Sequence, residues 1–294
     1  DDDYVDHTLT AEAILELNSR NRLDLTAGVA KIHEDRGSNN AATGAKPARY
    51  TDKSLSGVYR YGAAGAKGNL EVAATYVDHT YDNLGSLNDS RERENLGLDA
   101  TFFYRVAPKT RALFEVRLED IDYKLASSPL DNTEMKYLAG VTWDATAKTS
   151  GTAKFGYQEK DYDSASRDDQ DGASWEISAR WSPRTYSTFD LMTSQEYEEA
   201  SGNEDGIDTE TYSLTWNHSW DDRFSTQAML SHMNEDYIGL TREDETDTAM
   251  VGFNYELKRW LSVNLAYTYK DKDSNAATES ETQNLFMLTF QGSL

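Results

Sequence analysis

The chain has 294 residues, a formal net charge of −23, no cysteine and four prolines. The missing cysteines exclude a disulfide framework or a thiolate metal site, and the acidic balance repels phosphate backbones and so excludes nucleic acid. No apolar run approaches the ~18 residues of a membrane helix. Hydrophobic residues make up only 38%, yet 18 tyrosines and 6 tryptophans are present, which is not the make-up of a disordered chain. The apolar residues must be spread along strands, one in every two, with no thick core.

Period-two alternation runs from one end to the other. It predicts fifteen strands over 4–17, 22–34, 54–62, 69–82, 94–105, 110–123, 135–145, 149–162, 173–182, 185–198, 208–220, 223–237, 246–257, 260–273 and 282–294. Leu9, Ala11, Ala13, Leu15 and Leu17 share one face of the first, and Leu96, Leu98, Ala100, Phe102 and Tyr104 one face of the fifth. Trp175, Ile177, Ala179 and Trp181 do the same in the ninth, Tyr212, Leu214 and Trp216 in the eleventh. In the fourteenth, Leu261, Val263, Leu265, Tyr267 and Tyr269 alternate with Ser262, Asn264, Ala266, Thr268 and Lys270.

Short connections (such as Pro183-Arg184 and Lys258-Arg259) alternate with long acidic ones: Asp35–Lys53, Asn83–Arg93, Lys124–Glu134, Asp163–Gly172, Glu199–Ile207, Ile238–Glu245 and Ser274–Ser280. All four prolines fall in the connections, where no amide N–H is missed. The hairpin repeat is roughly 36–47 residues, with two long strands per unit instead of a propeller blade's four short ones. Strands on the order of 10–14 residues exceed the ~5–6 of ordinary sheets and suit the ~9–11 of a tilted membrane strand. In lipid every backbone group must be paired, which only a closed barrel of strands achieves. The expected fold is therefore all-β, an up-and-down antiparallel transmembrane barrel forming one domain over 1–294, in the bacterial outer membrane.

Aromatic residues sort toward the strand ends, as amphipathic rings do at lipid–water interfaces. One belt is expected beside the short turns, with Trp143, Trp181, Trp220, Tyr255 and Trp260. The other lies beside the long loops, with Tyr76, Tyr123, Tyr162, Tyr197, Tyr237 and Tyr269. Bacterial single-chain barrels have even strand numbers, so fifteen strands predict one or three further strands ahead of Asp1 and a complete barrel of sixteen or eighteen.

The stretch Asp161-Tyr162-Asp163, Arg167 to Gly172, Trp175 and Trp181-Ser182-Pro183-Arg184-Thr185 resembles the β-barrel porin family encoded beside exopolysaccharide gene clusters. Tyr212 to His218, Trp220 with Asp222-Arg223, Arg242-Glu243-Asp244, Asn254 to Ser262 and Asn284 to Thr289 carry the same resemblance. It is best over 150–294 and fainter but continuous before that. The resemblance implies a barrel that carries surface polysaccharide across the outer membrane, alongside a periplasmic export partner. One departure is the final Leu294, where many outer-membrane proteins end in an aromatic residue.

Alternation places Glu12, Glu16, Asp24, Glu71, Asp99, Glu115, Asp144, Glu176, Asp190 and Glu256 in the lumen, against Arg60, Arg105, Arg111, Arg117, Lys154, Arg180 and Lys270. Mixed signs on neighbouring strands brace a hydrated wall. Few inward positions are aromatic, Phe103 and Tyr186 being the clearest, which argues against a tight sugar-binding slide. Asp168, Asp169 and Asp171, Glu198, Glu199, Glu204 and Asp205, and Glu243, Asp244 and Glu245 read as a solvated loop surface. The alternative there is a divalent-cation surface bridging to lipopolysaccharide phosphates, although no Asp-x-Asp-x-Asp-Gly spacing occurs; no other cofactor is expected. An acidic mouth attracts cations and repels a polyanion, which favours a neutral or cation-screened glycan as cargo.

The five histidines are dispersed, and His79 beside Asp78 is the nearest approach to a hydrolytic dyad, so no enzyme is expected. The leading expectation is a transport barrel giving a surface polysaccharide a water-filled path. The alternatives are a general or cation-preferring diffusion porin and a structural or adhesive surface barrel. Expected partners are outer-membrane lipid and lipopolysaccharide, the glycan, and a periplasmic export protein.

Overall fold

A computed structural model describes residues 5–34, 47–63, 65–85, 88–146, 148–199, 204–276 and 278–293. Fifteen strands are present: β1 (His7–Asn18), β2 (Asn21–His33), β3 (Arg49–Tyr61), β4 (Gly68–Tyr81), β5 (Arg93–Ala107), β6 (Thr110–Tyr123), β7 (Asn132–Thr146) and β8 (Thr149–Tyr162), then β9 (Gln170–Arg184), β10 (Ser187–Glu198), β11 (Gly206–Ser219), β12 (Phe224–Ile238), β13 (Glu243–Lys258), β14 (Leu261–Ser274) and β15 (Glu281–Gly292). A 3-10 turn at Asp89–Arg91 precedes β5. The strands form one sheet in sequence order, the up-and-down arrangement expected from the alternation. The sheet is not closed: among the described residues β1 pairs only with β2 and β15 only with β14. The predicted strand residues Tyr4 and Leu294, and residues 35–46 of the first long connection, lie outside the described residues.

The chain divides into two compact units. The first comprises Asp1–Ala139, Gly156–Ala173 and Glu199–Asp205; the second Gly140–Phe155, Ser174–Glu198 and Gly206–Leu294. In both, side chains alternate between an apolar and a polar face. The apolar face is uncovered, with Leu9 and Phe286 74% and 75% exposed, because its solvent is lipid. A cluster of buried apolar side chains, Ile121, Tyr123, Leu130 and Tyr162, sits at the long-loop end of the first unit.

Several strands begin earlier than the alternation indicates. Residues 49–53, 132–134, 170–172 and 243–245 read as loop in the sequence yet continue β3, β7, β9 and β13. They lie beyond the apolar band, where the ladder persists but neither face has to be apolar, so pairing continues without its sequence signature. Pro183 is a second correction, since it lies inside β9 rather than in a connection. Its missing N–H falls beside a register shift between Ser187 and Phe189, where a ladder donor is dispensable. The same device recurs at the described two-residue turns 19–20, 108–109 and 259–260, which carry shifts at Glu16/Asn18, Arg105/Ala107 and Glu256/Lys258. Extra twist at these points lets tight turns join strongly coiled strands.

Candidate pore wall and outer rim

Within each unit, strand register aligns many of the charged residues predicted for the lumen along one polar face. In the first unit one row runs Glu16–Arg22–Arg60–Glu71–Thr101–Glu115 across β1 to β6, each residue directly opposite the next. Asp24 lies one step along, ion-paired to Arg22 at 2.7 Å and to Arg60, which in turn holds Glu71 at 2.7 Å. Glu115 accepts from Thr101 at 3.3 Å and pairs with Arg117, itself opposite Asp99. Glu12 shares this face opposite Thr26. Arg105 and Arg111 are opposite one another despite their like charge; Arg105 donates to the Gly65 carbonyl at 3.1 Å.

In the second unit Lys154 pairs with Glu176 at 2.8 Å and Arg180 with Asp190 at 2.6 Å. Lys270 lies 4.0 Å from Glu281 and opposite Thr248, Glu256 lies opposite Ser262, and Asp144 is exposed in β7. Opposite charges in adjacent rows neutralise one another locally while keeping the face wet.

The expected aromatic belts divide. Trp181, Trp220, Tyr255, Trp260, Tyr76 and Tyr269 are exposed, and Trp143 and Tyr197 half-buried, at apolar-face or turn positions. Tyr123, Tyr162 and Tyr237 are instead buried on the polar face, which corrects their placement at a lipid interface. Asp122, Asp161 and Asp236 occupy the opposite parity there, so the apolar band has already ended at Leu118, Tyr157 and Leu230.

Tyr123 and Tyr162, with Tyr81, share a repeated structural device. The Tyr81, Tyr123 and Tyr162 amides donate to Glu92, Asp131 and Asp169 at 3.0, 2.7 and 2.9 Å, closing their own hairpins. Their phenols donate to another segment: Tyr81 to Glu34 at 2.5 Å, Tyr123 to Glu199 at 2.6 Å, and Tyr162 to the Asp205 carbonyl. The polar face is thus richer in rings than its sequence indicates, but these rings are committed to loop segments.

Beyond the lipid band in the first unit, Lys160 has a fully buried side chain held by Glu134 at 2.8 Å and by Glu199. Burial alone lowers an ammonium pKa, but the Glu199 and Glu134 charges outweigh it and raise that of Lys160. Asp205 pairs with Arg167 at 2.9 Å, and its carbonyl accepts from Gln170 at 2.6 Å. Described residues flanking the loop after β10 are thereby pinned to the ends of β6 and β8.

In the second unit Asp244, also fully buried, binds Arg242 at 2.6 Å, Lys272 at 2.9 Å and Ser274 at 2.5 Å, while Arg242 lies 4.1 Å over the Tyr237 ring. Burial pushes the Asp244 carboxyl up, but hydrogen bonds from Arg242, Ser274 and Lys272 hold it at about 2. Glu199, Glu204, Asp205 and Asp244 are buried or half-buried and therefore not the solvated loop carboxylates expected. Sequence alternation missed Glu134, Lys160, Arg242 and Lys272; for Lys160 the local signal is its place beside Asp161-Tyr162 at a strand end.

Because the folded Asp244 value is depressed, its contribution is present above the ordinary carboxylate range near pH 4 and lost as pH falls toward 2. Asp244→Asn is expected to weaken the rim at neutral pH and to flatten stability between pH 4 and 2, read as urea midpoints in detergent micelles. An unchanged acid limb would show that Asp244 does not carry it.

His79 and its neighbour Asp78 have different partners. The His79 Nδ1 bonds Asp52 across the strand at 2.6 Å and its ring lies between Tyr50 and Tyr81, whereas Asp78 binds Lys53 and Lys124.

A family model described as "Putative beta-barrel porin 2" matches residues 1–293. The chain belongs to that family. It is a β-barrel protein of the bacterial outer membrane. No curated protein matches it. Among solved structures it is similar to the FrpB iron transporter of Neisseria meningitidis (F3-3 variant) at TM-score 0.61 and 10% identity, covering 92% of this chain and 52% of that one. The copper transporter OprC gives TM-score 0.56 at 10% identity, covering 97% and 56%. A mutant of the ferric enterobactin receptor PfeA of Pseudomonas aeruginosa gives 0.52 at 10%, covering 91% and 50%. The chain spans about half the length of these structures, and at such identity the likeness is one of fold.

Proposed function

We propose that this porin-family chain forms part of an outer-membrane barrel that gives a surface polysaccharide a water-filled path, with no chemistry of its own. The observation that carries a hydrated path is the continuous polar face, whose charges are matched in cross-strand rows. The glycan cargo is supported by the resemblance to porins of exopolysaccharide clusters, and a periplasmic export partner would deliver the polymer.

Deleting the gene is expected to abolish surface glycan while leaving small-solute uptake intact. Surface glycan retained alongside lost solute uptake would replace the export reading with a diffusion porin. The net charge of −23 favours a cation-preferring version of that second reading. In planar bilayers either pore is expected to give a cation-selective reversal potential at low salt, and anion selectivity would remove the electrostatic argument.

A further inference from the structure

The second unit carries a groove on its polar face that the charge ladder leaves unexplained. Its volume is about 680 Å³, within the roughly 300–1,000 Å³ of small-molecule sites. Register accounts for it. Ser178 lies opposite Met192, Met192 opposite Ser213, and Ser213 opposite Ser231, so one row across β9 to β12 holds three of the shortest polar side chains. The adjacent row adds Ser194 opposite Thr211. Two neighbouring rows of short side chains, with longer ones around them, leave a depression across the strands.

The chemistry of this lining is specific. A hydroxyl both donates and accepts, so a wall of serines and threonines satisfies a ligand hydroxyl in either sense. The Lys154–Glu176 pair, 2.8 Å apart, fixes a donor and an acceptor at one border. Arg180 and Asp190, 2.6 Å apart on the other side of the serine row, are also neutralised. Glu196 also lines the groove. Met192, 59% exposed, offers a thioether surface to a C–H face.

We propose that this groove is a weak subsite for a neutral polyhydroxyl ligand, one or two uncharged sugar residues at a time. The inference rests on the glycan reading above and deepens it by naming the cargo class. Hydroxyl contacts without a stacked ring bind loosely, and loose binding suits passage: a site along a path must be easy both to enter and to leave.

The test uses the purified full chain in detergent, with maltohexaose as the neutral probe and hexagalacturonate as its size-matched anionic counterpart, titrated calorimetrically. Maltohexaose is expected to bind in the millimolar range and hexagalacturonate more weakly. Ser178→Ala/Ser213→Ala/Ser231→Ala is expected to raise the maltohexaose Kd about tenfold, equivalent to a few neutral hydrogen bonds. Ser213→Trp fills the groove and should abolish binding, with strand content by circular dichroism confirming that the variant folds. Equal affinity in the wild type and the alanine variant, or tighter binding of hexagalacturonate, overturns the proposal. The outcome is separable from export: groove-dependent binding by a protein whose deletion leaves surface glycan intact refutes export alone. Lost surface glycan without groove-dependent binding refutes the subsite alone.

Discussion

Lys160→Met is expected to destabilise the loop end of the first unit by about 3–5 kcal/mol, the usual cost of stripping one partner from a buried ionic cluster. The ammonium has no solvent exposure and two carboxylates, Glu134 and Glu199, converge on it. Removing the cation leaves two like charges facing each other in a buried site. Tyr123 and Asn132, which also bond Glu199 at 2.6 and 3.3 Å, cannot neutralise them. The loss should appear as a lower urea midpoint and as earlier proteolysis near residue 199. Adding Glu134→Gln and Glu199→Gln removes the stranded charges, so the triple variant should recover most of the stability. If the single variant is as stable as the wild type, or the triple is no better than the single, the cluster is not the brace described.

The contrast between this cluster and the strand walls shows what a sequence can encode about such a fold. Within the lipid band, alternation is enforced by two solvents, so residues as distant as Glu16 and Glu115 could be assigned to one face from parity alone. Which charges would meet was not legible, because that depends on register: Arg60 reaches both Asp24 and Glu71 only because it lies opposite Arg22 and Glu71. Above the band the constraint disappears. Tyr123 and Tyr162 look like interfacial rings because they end their strands, yet their parity turns them to the polar face. Glu199 and Asp244 look like solvated loop acids, and only three-dimensional proximity to Lys160 and Lys272 reveals them as buried partners. The hydroxyl groove was hidden for a related reason. Serine is an unremarked polar residue on any one strand, and a row of serines exists only after four strands are aligned.

Face assignment is the premise beneath every site described, and a matched pair of arginine substitutions tests it. Leu265, midway along the apolar stretch Leu261–Tyr269 of β14, is 49% exposed in the isolated chain and lies opposite Phe253 and Leu288, all on the apolar face. Its neighbour Asn264 lies opposite Asn254 and Thr289 on the polar face. Leu265→Arg places a guanidinium against acyl chains and is expected to cost about 2–4 kcal/mol in folding from urea into lipid vesicles. Asn264→Arg puts the same side chain into water one residue away and should cost less than about 1 kcal/mol. In water a surface leucine replaced by arginine would be almost neutral, so the penalty at 265 reports lipid contact and not a general intolerance of β14. Equal effects at 264 and 265 would mean that both faces meet the same solvent, and the hydrated path, the rim and the groove would lose their basis together.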